Sequence, residues 1–156
     1  MIRDAKPEDE GAIAQLLSAL NLFETEEVEI VTGMLAEHFA RPQSQDLWLL
    51  DDDNGPVGIA YAAPERMTDG TWNLYLIAVH PEHQKQGRGA ALLKHVEAAL
   101  AAQHVRVLLV ETAGVEDFEF VRQFYRNSGF REEARISEFY AAGMDKVVFW
   151  KRLTWN

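Results

Sequence analysis

Apolar residues along the chain alternate between two periods, and each change of period marks an element. Residues 2–5 read as a short strand, and Pro7-Glu8-Asp9-Glu10 supplies the proline and acidic first turn of a helix. Ile13, Leu16, Leu17 and Leu20 follow at i, i+3, i+4 and i+7, which gives that helix one apolar face. A second helix is predicted over residues 24–39, buried through Val28, Val31, Leu35 and Phe39. Gly33 lies inside it and costs it about 1 kcal/mol relative to alanine, so its continuity is open. Residues 46–50 and 57–62 read as strands around Asp51-Asp52-Asp53-Asn54-Gly55-Pro56, where Asn-Gly is a hairpin signal. The three aspartates lack the spacing and distal glutamate of a calcium loop and are read as a solvated turn.

A strand over residues 71–79 leads through Pro81 to a helix from about 87 to 102, with apolar positions at Ala90, Leu93, Val96 and Leu100. Residues 105–112 form a strand in which Val107-Leu108-Leu109-Val110 is apolar enough for burial on both faces. A helix over 116–127 ends before Gly129, a C-cap position, and residues 131–140 and 146–153 close the chain as a hairpin. The order β-α-α-β-β-β-α-β-α-β-β predicts an α/β fold of one domain spanning residues 1–156. In it a central, mostly antiparallel sheet carries helices on both faces. The strand–helix–strand unit over 71–112 is expected to be parallel and right-handed.

Composition narrows the classes. The net charge of −10 opposes general nucleic-acid binding, which needs basic patches, and suits either a cationic partner or plain solubility. No apolar run approaches the ~18 residues of a membrane span, and the first residues do not form a signal peptide. The absence of cysteine excludes a thiol nucleophile and fits a cytoplasmic protein. The histidines form no convincing metal set: His80 and His83 are close but lack a third ligand.

Against that acidic background, Gln84-Lys85-Gln86-Gly87-Arg88-Gly89-Ala90 places two cations and two glycines between a strand and a helix. Unpaired N–H groups and the macrodipole make a helix start a favourable place for an anion, and glycine lets a bulky one approach the backbone. The spacing, Q/R-x-x-G-x-G/A, is neither the dinucleotide fingerprint nor the nucleotide P-loop. With Ile77-Ala78-Val79-His80-Pro81 before it and Leu92-Leu93 after it, it resembles the acetyl-CoA motif of the GNAT superfamily of acyl-CoA-dependent N-acyltransferases. Phe124-Tyr125-Arg126-Asn127-Ser128-Gly129-Phe130 resembles that family's second segment, F/L-Y-x-x-x-G-F. The element order is similar to the family fold along nearly the whole chain.

The resemblance implies transfer of an acetyl group from acetyl-CoA to a primary amine of a small molecule or protein, by direct attack in a ternary complex and without a metal. It implies that Ile77, Ala78 and Val79 line the pantetheine and that Gln84, Lys85, Gln86, Gly87, Arg88, Gly89 and Ala90 hold the pyrophosphate. A backbone N–H of Val79 or Ile77 would stabilise the oxyanion. Tyr125 would protonate the departing thiolate, as a phenol with an ordinary pKa of about 10 can. Packing in an aromatic core is the other reading of Tyr125. Phe118 stands at the coenzyme-facing position, seven residues before the tyrosine, where many members carry an asparagine. Glu111, closing the strand beside the central one, is the first candidate for the base that deprotonates the amine. Tyr75, Glu65 and Asp69 are alternatives, and Tyr140, Asp145 and Trp72 are candidates for the acceptor pocket. A coenzyme-binding sensor without turnover, or an interaction domain, remains open beside the enzyme. The final hairpin, with Phe149, Trp150 and Trp155, offers either core residues or a homodimer face.

Overall fold

The computed structural model describes residues 1–155. In chain order the elements are β1 (Ile2–Asp4), α1 (Glu10–Ala19), α2 (Thr25–Ala40), β2 (Leu47–Asp52), β3 (Pro56–Pro64) and β4 (Thr71–Val79). There follow α3 (Arg88–Ala102), β5 (Val107–Ala113), α4 (Glu119–Asn127), β6 (Arg131–Ala141) and β7 (Met144–Arg152). The strands form one seven-stranded sheet in the order β1-β2-β3-β4-β5-β7-β6. Pairing is antiparallel for β1/β2, β2/β3, β5/β7 and β6/β7, and parallel for β4/β5. The mixed, mostly antiparallel fold is therefore the one the periodicity predicts. Within the chain, two compact units are distinguished: Met1–Ala63 with Leu76–Ala98, and Pro64–Tyr75 with Ala99–Asn156.

The first unit is built on the apolar stripes of α1 and α2. Ile13, Leu16, Leu17, Leu20, Val28 and Leu35 are buried in one cluster with Trp48, Leu50, Ile59 and Tyr61 of β2 and β3. Trp48 and Tyr61 stack with ring centroids 4.0 Å apart. α2 runs unbroken through Gly33, which lies exposed, and its start is held by a capping box in which the Glu24 N–H donates to Glu27 Oε1 at 3.0 Å. Gly58 admits α3 to the sheet: a Cβ there would lie 2.9 Å from Leu92 Cδ1 and 3.3 Å from Asp51 Cβ.

The three aspartates are not a solvated turn. Asp51 is 4% exposed and paired with Arg88, and Asp52 accepts from Arg3 Nε at 2.9 Å. Only Asp53 is exposed, and it too meets Arg88. A close run of like charge is tolerable here because each carboxylate has a guanidinium to face.

In the second unit Phe149 is fully buried, with Leu108, Val110, Val147, Tyr125, Phe130 and Leu153 also inside. This burial removes Phe149 from any homodimer face. Trp150 is half-buried beneath Arg131, whose guanidinium lies 4.1 Å from its ring centroid, and Trp155 donates through Nε1 to the Val105 carbonyl at 2.8 Å. The helix predicted at 116 opens instead as a 3-10 turn over Glu116–Phe118, before α4. Arg122, buried, ties that connection down, donating through Nη1 to the carbonyls of Ala113 and Val115 at 2.8 Å each.

Asp9 shows how the first unit depends on charge pairing. Its carboxylate accepts both Nη atoms of Arg3, at 2.8 and 2.9 Å, and the Lys6 N–H at 2.8 Å. The Arg3 guanidinium first, and then the Lys6 N–H, hold it below the usual aspartate range. A depressed carboxylate stabilises the fold above its unfolded pKa of about 4 and loses that contribution as pH falls through the folded value. Asp9→Asn should therefore cost about 2 kcal/mol at neutral pH, the scale of lost charge-assisted hydrogen bonds. It should also flatten the acid side of the stability profile, measured by urea denaturation across pH. An acid limb as steep as that of the parent protein would contradict this assignment.

Candidate active site

Between β4 and α3 the backbone twice enters the left-handed region, at Lys85 (φ +61°) and at Gly87 (φ +77°). Glycine takes that conformation freely, whereas lysine does so at a cost. Reversals of this kind turn successive N–H groups to one side, the arrangement known as an anion nest. The Gly87 carbonyl accepts the Ala91 N–H at 3.0 Å, so α3 begins there and the N–H groups of Arg88, Gly89 and Ala90 have no helical acceptor. Residues Gln84, Lys85, Gln86 and Gly87 are exposed, and nothing lies within 4 Å of a Cβ built on Gly87. The turn is thus open, rich in N–H donors and free of side-chain obstruction, as a pyrophosphate requires.

The side chains of the turn are less free than the spacing suggests. Arg88 donates through Nη1 to Asp51 Oδ2 at 2.9 Å, through Nη2 to Asp53 Oδ2 at 2.7 Å, and through Nε to Gln86 Oε1 at 3.2 Å. Gln84 donates through Nε2 to the Val79 carbonyl at 2.9 Å. Lys85, by contrast, meets no carboxylate within salt-bridge distance among the described residues.

The edge of β4 follows from strand alternation. The His80 N–H donates to the Val57 carbonyl of β3 at 2.7 Å, so the backbone groups of His80 and Ala78 face β3. Those of Val79 and Ile77 face the other way, and the Val79 carbonyl is the one that Gln84 captures. The parallel register with β5 covers only Thr71–Leu74, paired with Val107–Val110. The N–H groups of Ile77 and Val79 lie beyond it.

Tyr125 owes its position to the end of α4. The Phe130 N–H bonds to the Tyr125 carbonyl at 3.0 Å and the Gly129 N–H to the Arg126 carbonyl at 3.1 Å, a Schellman cap. Gly129 sits at φ +91°, which explains glycine in the segment. Phe130, the residue after it, makes the cap's apolar contact, with its ring centroid 5.8 Å from that of Tyr125. Phe124 and Phe149 complete the surround at 5.3 and 5.7 Å. Burial pushes the Tyr125 phenol well above its ordinary pKa, so it stays protonated and able to donate. What the structure shows of Tyr125 is a place in the aromatic core.

The second unit also gathers a polar cluster. Asn73, 3% exposed, donates through Nδ2 to Glu65 Oε1 at 3.1 Å and to Glu111 Oε1 at 3.0 Å. Its two amide hydrogens serve one carboxylate each, which fixes the orientation of the amide. Tyr75 donates to Glu65 Oε1 at 2.9 Å, and Lys146 pairs with Glu111 Oε2. Burial, and then the nearby Glu111 charge, push the Tyr140 phenol up. One lysine against two glutamates leaves a net negative charge, and Asn73 Oδ1 is buried without a partner.

Glu111, Glu65 and Tyr75 are thus brought together, with Tyr140 near Glu111. Asp69, Asp145 and Trp72 are not part of the arrangement. Asp69 is exposed and engages Arg106 through its backbone carbonyl, at 2.7 Å. Asp145 is taken by Arg135 Nε and the Glu138 N–H, at 2.8 and 2.9 Å, and Trp72 is buried. Phe118, half-buried, caps α4 without a side-chain hydrogen bond. Sequence reasoning misses Asn73 and Lys146, although a lone amide between Trp72 and Leu74 in an apolar strand is a signal for the first. Among the described residues, no group of three or more His, Cys, Asp or Glu is placed to hold a metal, and no helix is long and apolar enough to cross a membrane.

Comparison with known proteins bears on the family and the fold. Residues 43–132 match the model of the acetyltransferase (GNAT) domain. The chain is 29% identical over 154 residues to an amino-acid acetyltransferase of Pseudomonas fluorescens, covering 98% of this chain but only 34% of that protein. Among solved structures, a GNAT-family protein of Desulfovibrio desulfuricans superposes with a TM-score of 0.93 at 29% identity, covering 99% of both chains. An aminoglycoside 6'-N-acetyltransferase complexed with coenzyme A shares the fold, with a TM-score of 0.79 at 14% identity over 100% of this chain and 98% of that one.

The polar cluster can be tested without any ligand. Asn73→Ala adds no bulk at this buried site and leaves Glu65 and Glu111 facing each other without a shared donor. Its expected cost is about 1–3 kcal/mol in urea denaturation, and unchanged stability would contradict the bridging role.

Proposed function

Because the chain belongs to the GNAT acetyltransferase family, we propose that it transfers the acetyl group of acetyl-CoA to a primary amine of a small molecule or protein. The observation that carries this reading is the open turn at Lys85–Gly87, whose reversed backbone and free helix N–H groups suit the coenzyme pyrophosphate. Acetyl-CoA is the donor its family uses, and it supplies the acetyl group already activated as a thioester.

The turn from Gln84 to Ala90 holds the phosphates through its backbone. The outward N–H groups of Ile77 and Val79 receive the pantetheine as an added strand would be received, and the Val79 N–H donates to the acetyl oxygen as charge develops there. An amine attacks only when unprotonated, so Glu111, or Glu65 held by the same Asn73 amide, accepts its proton. The net negative charge of this cluster favours a cationic acceptor in the bound state. Tyr125 gives its proton to the departing sulfur. The amine attacks directly in a ternary complex, a route that needs no enzyme thiol and is compatible with a chain without cysteine. The same reading places the protein in the cytoplasm.

The test is release of free thiol from acetyl-CoA with a panel of primary amines. Turnover with at least one amine is expected. With that amine Tyr125→Phe should lower kcat about a hundredfold at unchanged acetyl-CoA affinity, the scale of losing a general acid. Coenzyme binding with no turnover on any amine, or a Tyr125→Phe variant as active as the parent, would instead favour a sensor of acetyl-CoA.

A further inference from the structure

The coenzyme turn contains a strained residue, and strain of this kind persists only where the surroundings over-determine it. Lys85 at φ +61° is a long side chain in a conformation that glycine adopts without cost. The residues around it are exposed, so packing does not hold it. Two side-chain ties remain, one on each side. Before Lys85, Gln84 Nε2 donates back to the Val79 carbonyl at 2.9 Å. After it, Arg88 Nε donates to Gln86 Oε1 at 3.2 Å, while its two Nη atoms reach across to Asp51 at 2.9 Å and Asp53 at 2.7 Å. Asp51 is 4% exposed at the end of β2, a fixed anchor rather than a mobile counter-ion.

The charges around the turn lead to the same assignment. Arg88 faces two carboxylates, one of them (Asp51) shared with the N-terminal ammonium at 3.5 Å, so its own charge is largely offset and three of its five N–H donors are engaged. A guanidinium fork spent in this way has little left for a phosphate. We propose that Arg88 is a positioning residue rather than a phosphate ligand: with Asp51 and Asp53 it clamps the β2–β3 hairpin to the coenzyme turn and holds the Lys85–Gly87 backbone in its anion-binding shape. This rests on the acetyl-CoA reading above and adds to it a specific device, an acidic hairpin that strengthens the binding of an anion. Electrostatics alone predicts the reverse, since removing a carboxylate beside a phosphate site should tighten binding.

That opposition of sign makes the test sharp. The acetyl-CoA dissociation constant is measured by calorimetry for the parent chain and for Asp53→Asn, Asp51→Asn, Arg88→Ala, Arg88→Lys and the Asp53→Asn/Arg88→Ala double variant. The clamp predicts that Asp53→Asn and Arg88→Ala each weaken binding about tenfold, the effect of letting one strained residue relax. The double variant should be no worse than Arg88→Ala, and Arg88→Lys should recover part of the loss. Asp53 is exposed, so its variant should keep the parent melting temperature even if Asp51→Asn does not. Tighter or unchanged binding in Asp53→Asn overturns the clamp. So does a loss in Arg88→Ala that Asp53→Asn does not share, which would make Arg88 a direct phosphate ligand. Absence of acetyl-CoA binding in the parent chain would overturn the coenzyme reading itself, and the clamp with it.

Discussion

A backbone N–H can attract an anion only if it is turned outward and kept there, and the turn at Lys85–Gly87, proposed to hold the coenzyme, depends on meeting that condition. The chain as a whole is strongly acidic, with a formal charge of −10. Side-chain charge near the turn does little to offset this, because Arg88 is matched by Asp51 and Asp53. What remains positive is the row of peptide dipoles from Lys85 into α3, together with Lys85 itself. Dipoles held by the fold cost no reorganisation when the ligand arrives, which suits them to a polyanion better than flexible lysines would be.

The same economy organises β4. Its first residues, Thr71–Leu74, are committed to parallel pairing with β5. Its later residues present the N–H groups of Ile77 and Val79 on the edge away from β3, an alternation set by the His80–Val57 hydrogen bond. One strand therefore serves as scaffold in its first half and, in the proposed function, as a binding edge in its second. Asn73, in the scaffold half, is the residue that joins the carboxylates of Glu65 and Glu111. Burying an amide there is costly unless it is bonded, and its two N–H bonds meet that cost while its carbonyl oxygen goes unmet.

Much of this was legible in the sequence. The strands and helices follow from period, because Ile13, Leu16 and Leu17 or Val107 to Val110 have no other way to be buried. The glycine turn and the Tyr125–Gly129–Phe130 segment are local, so short-range chemistry specifies them: Gly87 and Gly129 stand where φ is positive. What the sequence hid was non-local. The Asp51-Asp52-Asp53 run looks like a solvated loop until Arg3 and Arg88 are seen to reach it from far along the chain. Lys146 lies 35 residues from Glu111, its partner across the β5–β7 pairing, and Asn73 gains meaning only when Glu65 and Glu111 converge on it. Whether Phe149 is core or a face for a second copy stays open in the sequence, because strand periodicity does not say which face a helix covers; its burial settles it as core.

The central claim is that the Lys85–Gly87 turn holds acetyl-CoA, and calorimetric titration of the full chain with acetyl-CoA tests it most directly. The account predicts saturable binding, on the order of micromolar, that is lost in Gly87→Glu, where a carboxylate would enter the nest at a position whose φ of +77° already disfavours a side chain. A well-folded parent chain that does not bind acetyl-CoA, or a Gly87→Glu variant that binds as tightly as the parent, would contradict it.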